Sequence, residues 1–210
     1  MLPSLQASDI QDALQHIGLD WLTADRQLPP HIYDETNAAL TGYSLGLCPP
    51  RNDERACARE LDFMDFQHVL FLNFDTTSFS ASLQYTQSAN RQLKVHTSIV
   101  DGTLGSDSMP MYEIARAKFW ARLQERIIEV VGSTYKPERV VLFGKYVNVW
   151  GFAPFIIGVL EGLEIGTETM VLGERNDGLL VSARGAAEMA GRRVWQDRRD
   201  ERNVEEIVEL

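Results

Sequence analysis

Carboxylates and hydroxyls placed where the chain changes direction carry most of this sequence's capacity for chemistry. Glu35 stands at the start of a predicted helix, and Asp75 closes a strongly apolar run at a turn. Two carboxylates suit general acid–base work or cation binding. Each also has a structural reading: a helix dipole favours an acid in its first turn, and a turn Asp satisfies local backbone. Thr76, Thr77 and Ser78 continue that turn, as hydroxyl donors to an anion or as local hydrogen-bond partners. Asp101-Gly102-Thr103-Leu104-Gly105 marks a second turn, with Asp107 just beyond it. Gly144, Lys145 and Tyr146 follow another apolar run. Trp150, Phe152 and Phe155 crowd after them, as core packing, as the wall of an apolar pocket or as a protein interface.

Other chemistries lack their residues. His16, His31, His68 and His96 show no metal-ligand spacing, and Cys48 with Cys57 does not complete a zinc set, so neither metal nor cofactor is expected. No Gly-x-Ser-x-Gly elbow is present, neither cysteine has a nucleophile motif around it, and no Gly-Lys-Ser/Thr follows Gly105. A net charge of −10 disfavours nucleic acid, which needs a basic patch, and anionic membranes. No window reaches the roughly 18 uninterrupted apolar residues of a membrane span. The N-terminus has no signal-like apolar run, which leads to the expectation of a cytoplasmic protein. The two cysteines lie nine residues apart in a polar loop. They could pair, but nothing in the sequence suggests secretion.

The elements that must position these residues read as a mixed α/β domain. With 44% hydrophobic and 24% charged residues, the 210-residue chain has the composition of an ordinary globular protein. Ser8-Asp9 caps a helix bearing Ile10, Leu14 and Ile17, which Gly18 ends. A second helix runs from about Glu35 to Leu45, its Ala38, Ala39 and Gly42 permitting close packing. Residues 48–62 read as a loop. Val69–Phe74 is nearly all apolar, as in a strand buried on both faces. Phe79–Thr86 and Leu93–Ile99 alternate, which completes a three-strand meander. A long amphipathic helix covers about Met111 to Val131, with Ile114, Phe119, Leu123, Ile127 and Val130 near helical period. A buried strand (Val140–Phe143), a helix (Gly151–Leu163), a short strand (Glu168–Leu172) and a last helix (Ala183–Ala190) follow. The expected organisation is one domain over residues 1–191 and a charged tail over 192–210.

Taken in order, these segments resemble the second lobe of the ATPase domain of the seventy-kilodalton heat-shock chaperones, in the actin-like (ribonuclease H-like) superfamily. YDETNAALTGYSLGL is similar to the family's Glu-Pro-Thr-Ala-Ala-Ala helix, with Glu35 and Ala38–Ala39 kept and Thr36 in place of Pro. ALQHIGLDW looks like the helix before it. VLFLNFDTTSFSASL resembles the second phosphate-binding hairpin, and DGTLGSDS the following Gly-Asp corner. RVVLFGKYVNVWGFAPFI looks like the adenosine-loop strand and helix, and SARGAAEMAGR the closing helix. The resemblance covers about 180 residues.

It implies a single actin-like lobe in which Glu35 and Asp75 converge at the mouth of a former nucleotide cleft. The departures imply that the chemistry is lost. The hairpin turn Asp75–Ser78 has no glycine to let backbone N–H groups reach a phosphate. The adenosine loop opens with Gly144-Lys145-Tyr146 instead of two glycines. Phosphoryl transfer needs charge neutralisation from several sides, and the first lobe of the family's fold has no counterpart in these 210 residues. The expected function is therefore a non-hydrolysing binding module for a protein partner, a second copy of itself in a homodimer, or a small ligand. The alternative is a repurposed isomerase- or cyclase-type enzyme acting on a hydrophobic small molecule, with Glu35, Asp75 and His31 moving protons. Divergent relatives are numerous in fungal genomes, which by analogy points to secondary metabolism. Residual nucleotide binding is a third option.

Overall fold

The computed structural model describes residues 34–47, 63–89, 91–132, 134–148, 151–166, 170–171, 178 and 180–192, together with Asp12 and His16, which are helical. The chain falls into two compact units, Met1–Asp34 and Glu35–Leu210. Apart from Asp12 and His16, which fall within the predicted first helix, residues 1–33, the loop over 48–62 with both cysteines, and the tail beyond residue 192 lie outside the described residues.

The second unit is built on a five-stranded mixed sheet. Helix α1 is Glu35–Gly42. Strands β1 (Gln67–Phe74), β2 (Phe79–Ser88) and β3 (Arg91–Asp101) form the meander. Helix α2 is Glu113–Val131, followed by β4 (Arg139–Phe143), helix α3 (Phe152–Gly162), β5 (Met170–Val171) and helix α4 over residues 180–192. The strand order is β3-β2-β1-β4-β5. Strand β2 runs antiparallel to both β1 and β3, whereas β1 is parallel to β4, and β4 to β5. The α/β class, the meander and the flanking helices are those expected from the sequence.

Side-chain alternation divides the core between the two faces of this sheet. Leu70, Leu72 and Phe74 of β1, with Val140 and Leu142 of β4, join Phe119, Leu123 and Ile127 of α2 and Ile156 and Leu160 of α3. Val69, Phe71, Val141 and Phe143 face the other way, toward Ala39 and Leu40 of α1 and Val181 of α4. A strand buried on both faces needs a nearly continuous apolar run, which β1 and β4 have. Phe152 is fully buried and stacks on Phe74 with ring centroids 4.7 Å apart, so this member of the aromatic cluster is core. The small residues of α1 meet those of α4: a Cβ on Gly42 would strike the Val181 backbone, and one on Gly185 the Ala38 carbonyl.

Most element boundaries move by one to three residues from expectation, and three of the differences have a local reason. Helix α1 stops at Gly42 because Ser44 and Gly46 take positive φ (59° and 66°), and Leu45 N–H returns to Leu40 O at 3.0 Å. Strand β3 runs two residues further at each end, because its backbone pairing with β2 continues past the alternating residues. Helix α2 begins at Glu113, and Ile114 is 78% exposed. It lies five residues before Phe119, roughly 140° around the helix from the buried stripe.

Candidate functional site

The C-terminal ends of β1 and β4, adjacent parallel strands, gather most of the residues singled out from the sequence. In open α/β sheets this edge is where connections diverge and ligands sit. Thr36, where the resembled family carries Pro, ties the start of α1 to β2: Gln84 Nε2 donates to Thr36 Oγ1 at 3.2 Å and to Ser82 Oγ at 3.0 Å. That anchor sets Glu35 beside the end of β1, where Asn73 Nδ2 donates to Glu35 Oε2 at 3.4 Å. Glu35 is solvent-accessible, yet protein crowds it on one side. That partial desolvation first, and the Asp75 carboxylate second, raise its pKa above the usual 4.5. The two carboxylates thus act on one another electrostatically.

Two backbone donors of the β1–β2 turn are spent within it. Asp75 N–H donates to Ser78 O at 3.0 Å, and Thr76 N–H to Asp75 Oδ1 at 2.7 Å. The turn after β3 docks onto it through Ser106 N–H to Asp75 O (2.9 Å) and Asp107 N–H to Thr76 O (3.0 Å). Gly105 makes this approach feasible, because a Cβ there would overlap the backbone of Thr76, Thr77 and Ser78. Thr77 and Asp107 are exposed, whereas Thr76 and Ser78 are half-buried.

The turn after β4 closes the site. Gly144 has φ of +103°, and a Cβ on it would meet the Asn73 side chain and the Phe74 backbone. Tyr146 N–H donates to Phe74 O at 3.0 Å. Lys145 Nζ lies 5.1 Å from the Tyr146 ring centre. Lys145 above all, then Thr76 and Ser106, pull the phenol's pKa below its usual value. Ser106 Oγ is near enough to act on the phenol, yet it is buried without a well-formed hydrogen bond among the described residues.

The structure therefore brings together Glu35, Asp75, Thr76, Thr77, Ser78, Gly105, Asp107, Gly144, Lys145 and Tyr146. Gly102 stands apart, in an exposed turn where an added Cβ would meet nothing within 4 Å. There Asp101 Oδ1 accepts from Thr103 Oγ1 at 2.6 Å and Asp101 Oδ2 from Arg126 at 3.1 Å. His31 and Trp150 lie outside the described residues. Asn73 is the site residue that sequence reasoning missed. Its Oδ1 is buried and unpartnered among the described residues. Its one signal was a lone amide near the end of the run Val-Leu-Phe-Leu-Asn-Phe.

No protein-family model matches the chain, and no curated protein matches it. Among solved structures it is similar to an archaeal actin homolog crystallised in complex with ADP, at 11% identity and a TM-score of 0.45. The match covers 75% of this chain and 56% of that one, so the chain spans little more than half of that structure's length.

Proposed function

We propose that this chain is a single actin-like lobe, derived from the chaperone type of ATPase, that serves as a binding module and does not hydrolyse nucleotide. Its occupant is a protein partner, a second copy, or a small ligand at the β1–β4 edge. One observation carries this reading. Four backbone N–H groups of the two turns, those of Asp75, Thr76, Ser106 and Asp107, bond within the protein and are not aimed at a phosphate. A phosphate cradle works by aiming such groups outward at the anion. Here Glu35 and Asp75 add negative charge beside them, and Lys145 is the basic side chain that the three turns contribute.

Thermal denaturation of the full chain against ATP–Mg²⁺, ADP and a panel of apolar metabolites tests it, since a ligand that binds only the folded state raises its stability. The reading expects no shift with either nucleotide, and it is lost if ATP–Mg²⁺ stabilises the fold in a saturable way.

A second reading, acid–base catalysis on a hydrophobic small molecule, is favoured by the raised pKa of Glu35 beside Asp75. Opposed carboxylates of this kind are frequent where protons are moved. It expects stabilisation by an apolar compound that Glu35→Gln leaves bound but unconverted.

A further inference from the structure

Strand β3 ends the sheet on one side, and part of its backbone points away from the other strands. Asp75 N–H donates to Ser78 O next to the Phe74–Phe79 pair. That bond makes Phe74 and Phe79 a non-hydrogen-bonded pair, and the roles alternate from there along the ladder. Phe79 therefore bonds Asp101 of β3, whereas Ser80 and Ser82 bond back to β1. Their neighbours in β3, Val100 and Ser98, are left with N–H and C=O groups directed at the open edge. Both residues are exposed, Val100 at 74%.

An open edge is a template for another strand, and proteins guard such edges with lysine, proline, bulges or a covering segment. Here the guards are confined to the first half of β3. Lys94 is exposed there, and the register with β2 shifts between Leu83 and Gln84 and again beyond Tyr85. From Thr97 to Asp101 the pairing is regular, with no proline, lysine or bulge. Charge also runs along the strand. Its start carries Lys94. Its end, with the following turn and the part of α2 bonded to it, carries Asp101, Asp107 and Glu129 against Arg122 and Arg126, a net negative charge. An antiparallel mate of the same sequence sets each basic start beside an acidic end, whereas a parallel mate sets like beside like.

We propose that β3 is a dimerisation edge, taking β3 of a second copy of this chain antiparallel about a two-fold axis. With Ile99 opposite Ile99 of the second copy, Ser98 faces Val100 on both sides of the axis. These are the residues whose backbone groups point outward, and antiparallel pairs of that kind exchange both N–H···O bonds. The new ladder therefore forms without taking any bond from β2. Lys94 of each copy then falls opposite the turn that follows β3 in the other. A two-fold contact uses the same patch on both subunits, so association closes at two copies and joins the two sheets into one. The regular stretch Thr97–Asp101 is short, so the dimer is a concentration-dependent one. This edge is separate from the β1–β4 site, and the inference stands whatever that site holds.

Sedimentation velocity of the full chain at rising concentration tests it. A single monomer–dimer step is expected, with no larger species and with slowed amide exchange at Ser98 and Val100 in the dimer. Ser98→Pro removes an outward N–H that β2 does not use, a change that edge strands accept. It should weaken the dimer about tenfold or more, through the lost bonds at the seam. Val100→Lys should weaken it comparably by charging the edge. Leu180→Lys, at an exposed apolar residue of α4, should leave it unchanged. A chain that stays monomeric at every concentration overturns the proposal and leaves the edge to an extended segment of another protein. Open-ended growth in mass overturns it too, as does a dimer that Val100→Lys leaves at full strength. Should Ser98→Pro fail to fold, Val100→Lys decides, because that side chain is exposed in the single chain.

Discussion

Gly102 and Gly105 sit in one turn, three residues apart, and the structure assigns them opposite sensitivities. A methyl group on Gly105 meets the backbone of Thr76, Thr77 and Ser78, which cannot yield as a side-chain tip would. To accommodate it the two turns must separate. That breaks the bonds from Ser106 N–H to Asp75 O and from Asp107 N–H to Thr76 O. Each lost bond costs about 0.5–1.5 kcal/mol, and forced overpacking adds about 1–3 kcal/mol. Removing a glycine returns about 0.4–1 kcal/mol through the unfolded chain. Gly105→Ala should therefore destabilise by about 1–5 kcal/mol. Gly102 has open space around it and no positive φ, so Gly102→Ala should be neutral or stabilising by less than about 1 kcal/mol. Urea denaturation followed by tryptophan fluorescence, at equal m-values, reads both. If Gly105→Ala costs less than about 0.5 kcal/mol, or no more than Gly102→Ala, the two turns are not locked together and the reasoning about their occupied donors fails.

Three further outcomes follow from the same geometry. Glu35 has a raised folded pKa, so its contribution to stability is complete below the unfolded value of 4.5 and is lost as pH rises through the folded value. Glu35→Gln should remove that loss in pH-dependent urea melts, and Asp75→Asn should reduce it. Asp101 behaves oppositely. Burial opposes its ionisation, but the Thr103 hydroxyl and N–H and the Arg126 guanidinium outweigh it, leaving the pKa below 3.8. Its contribution is thus present above 3.8 and is lost as pH falls through the folded value, a limb that Asp101→Asn should flatten. Phe152→Ala should cost about 3–5 kcal/mol in the same melts, because it removes a fully buried ring stacked on Phe74.

The scaffold was readable in the sequence because its strands and helices keep simple periods. The run Val69–Phe74, the alternation after Phe79 and the stripe Phe119, Leu123, Ile127 and Val130 each specify a buried surface directly. The site was only partly readable. Glu35 and Asp75 are far apart in the chain, and their convergence followed from resemblance, not from spacing. Asn73 is hidden in a run whose apolar neighbours specify burial on both faces, whereas its side chain reaches Glu35 of α1 at the strand end. The ring contact of His68 with His96, 5.2 Å apart, is invisible in the sequence because the register shift between Leu83 and Gln84 leaves no mark in composition or alternation. The occupied donors of the β1–β2 turn were foreseen only as missing glycine. What the structure adds is that the N–H groups of Asp75 and Thr76 have internal acceptors.

Phosphate release from ATP–Mg²⁺ by the purified full chain, after rigorous removal of contaminating ATPases, tests the central claim most directly. The expected result is no release above the background given by the Glu35→Gln and Asp75→Asn variants. Turnover that survives purification and disappears in those two variants would contradict it.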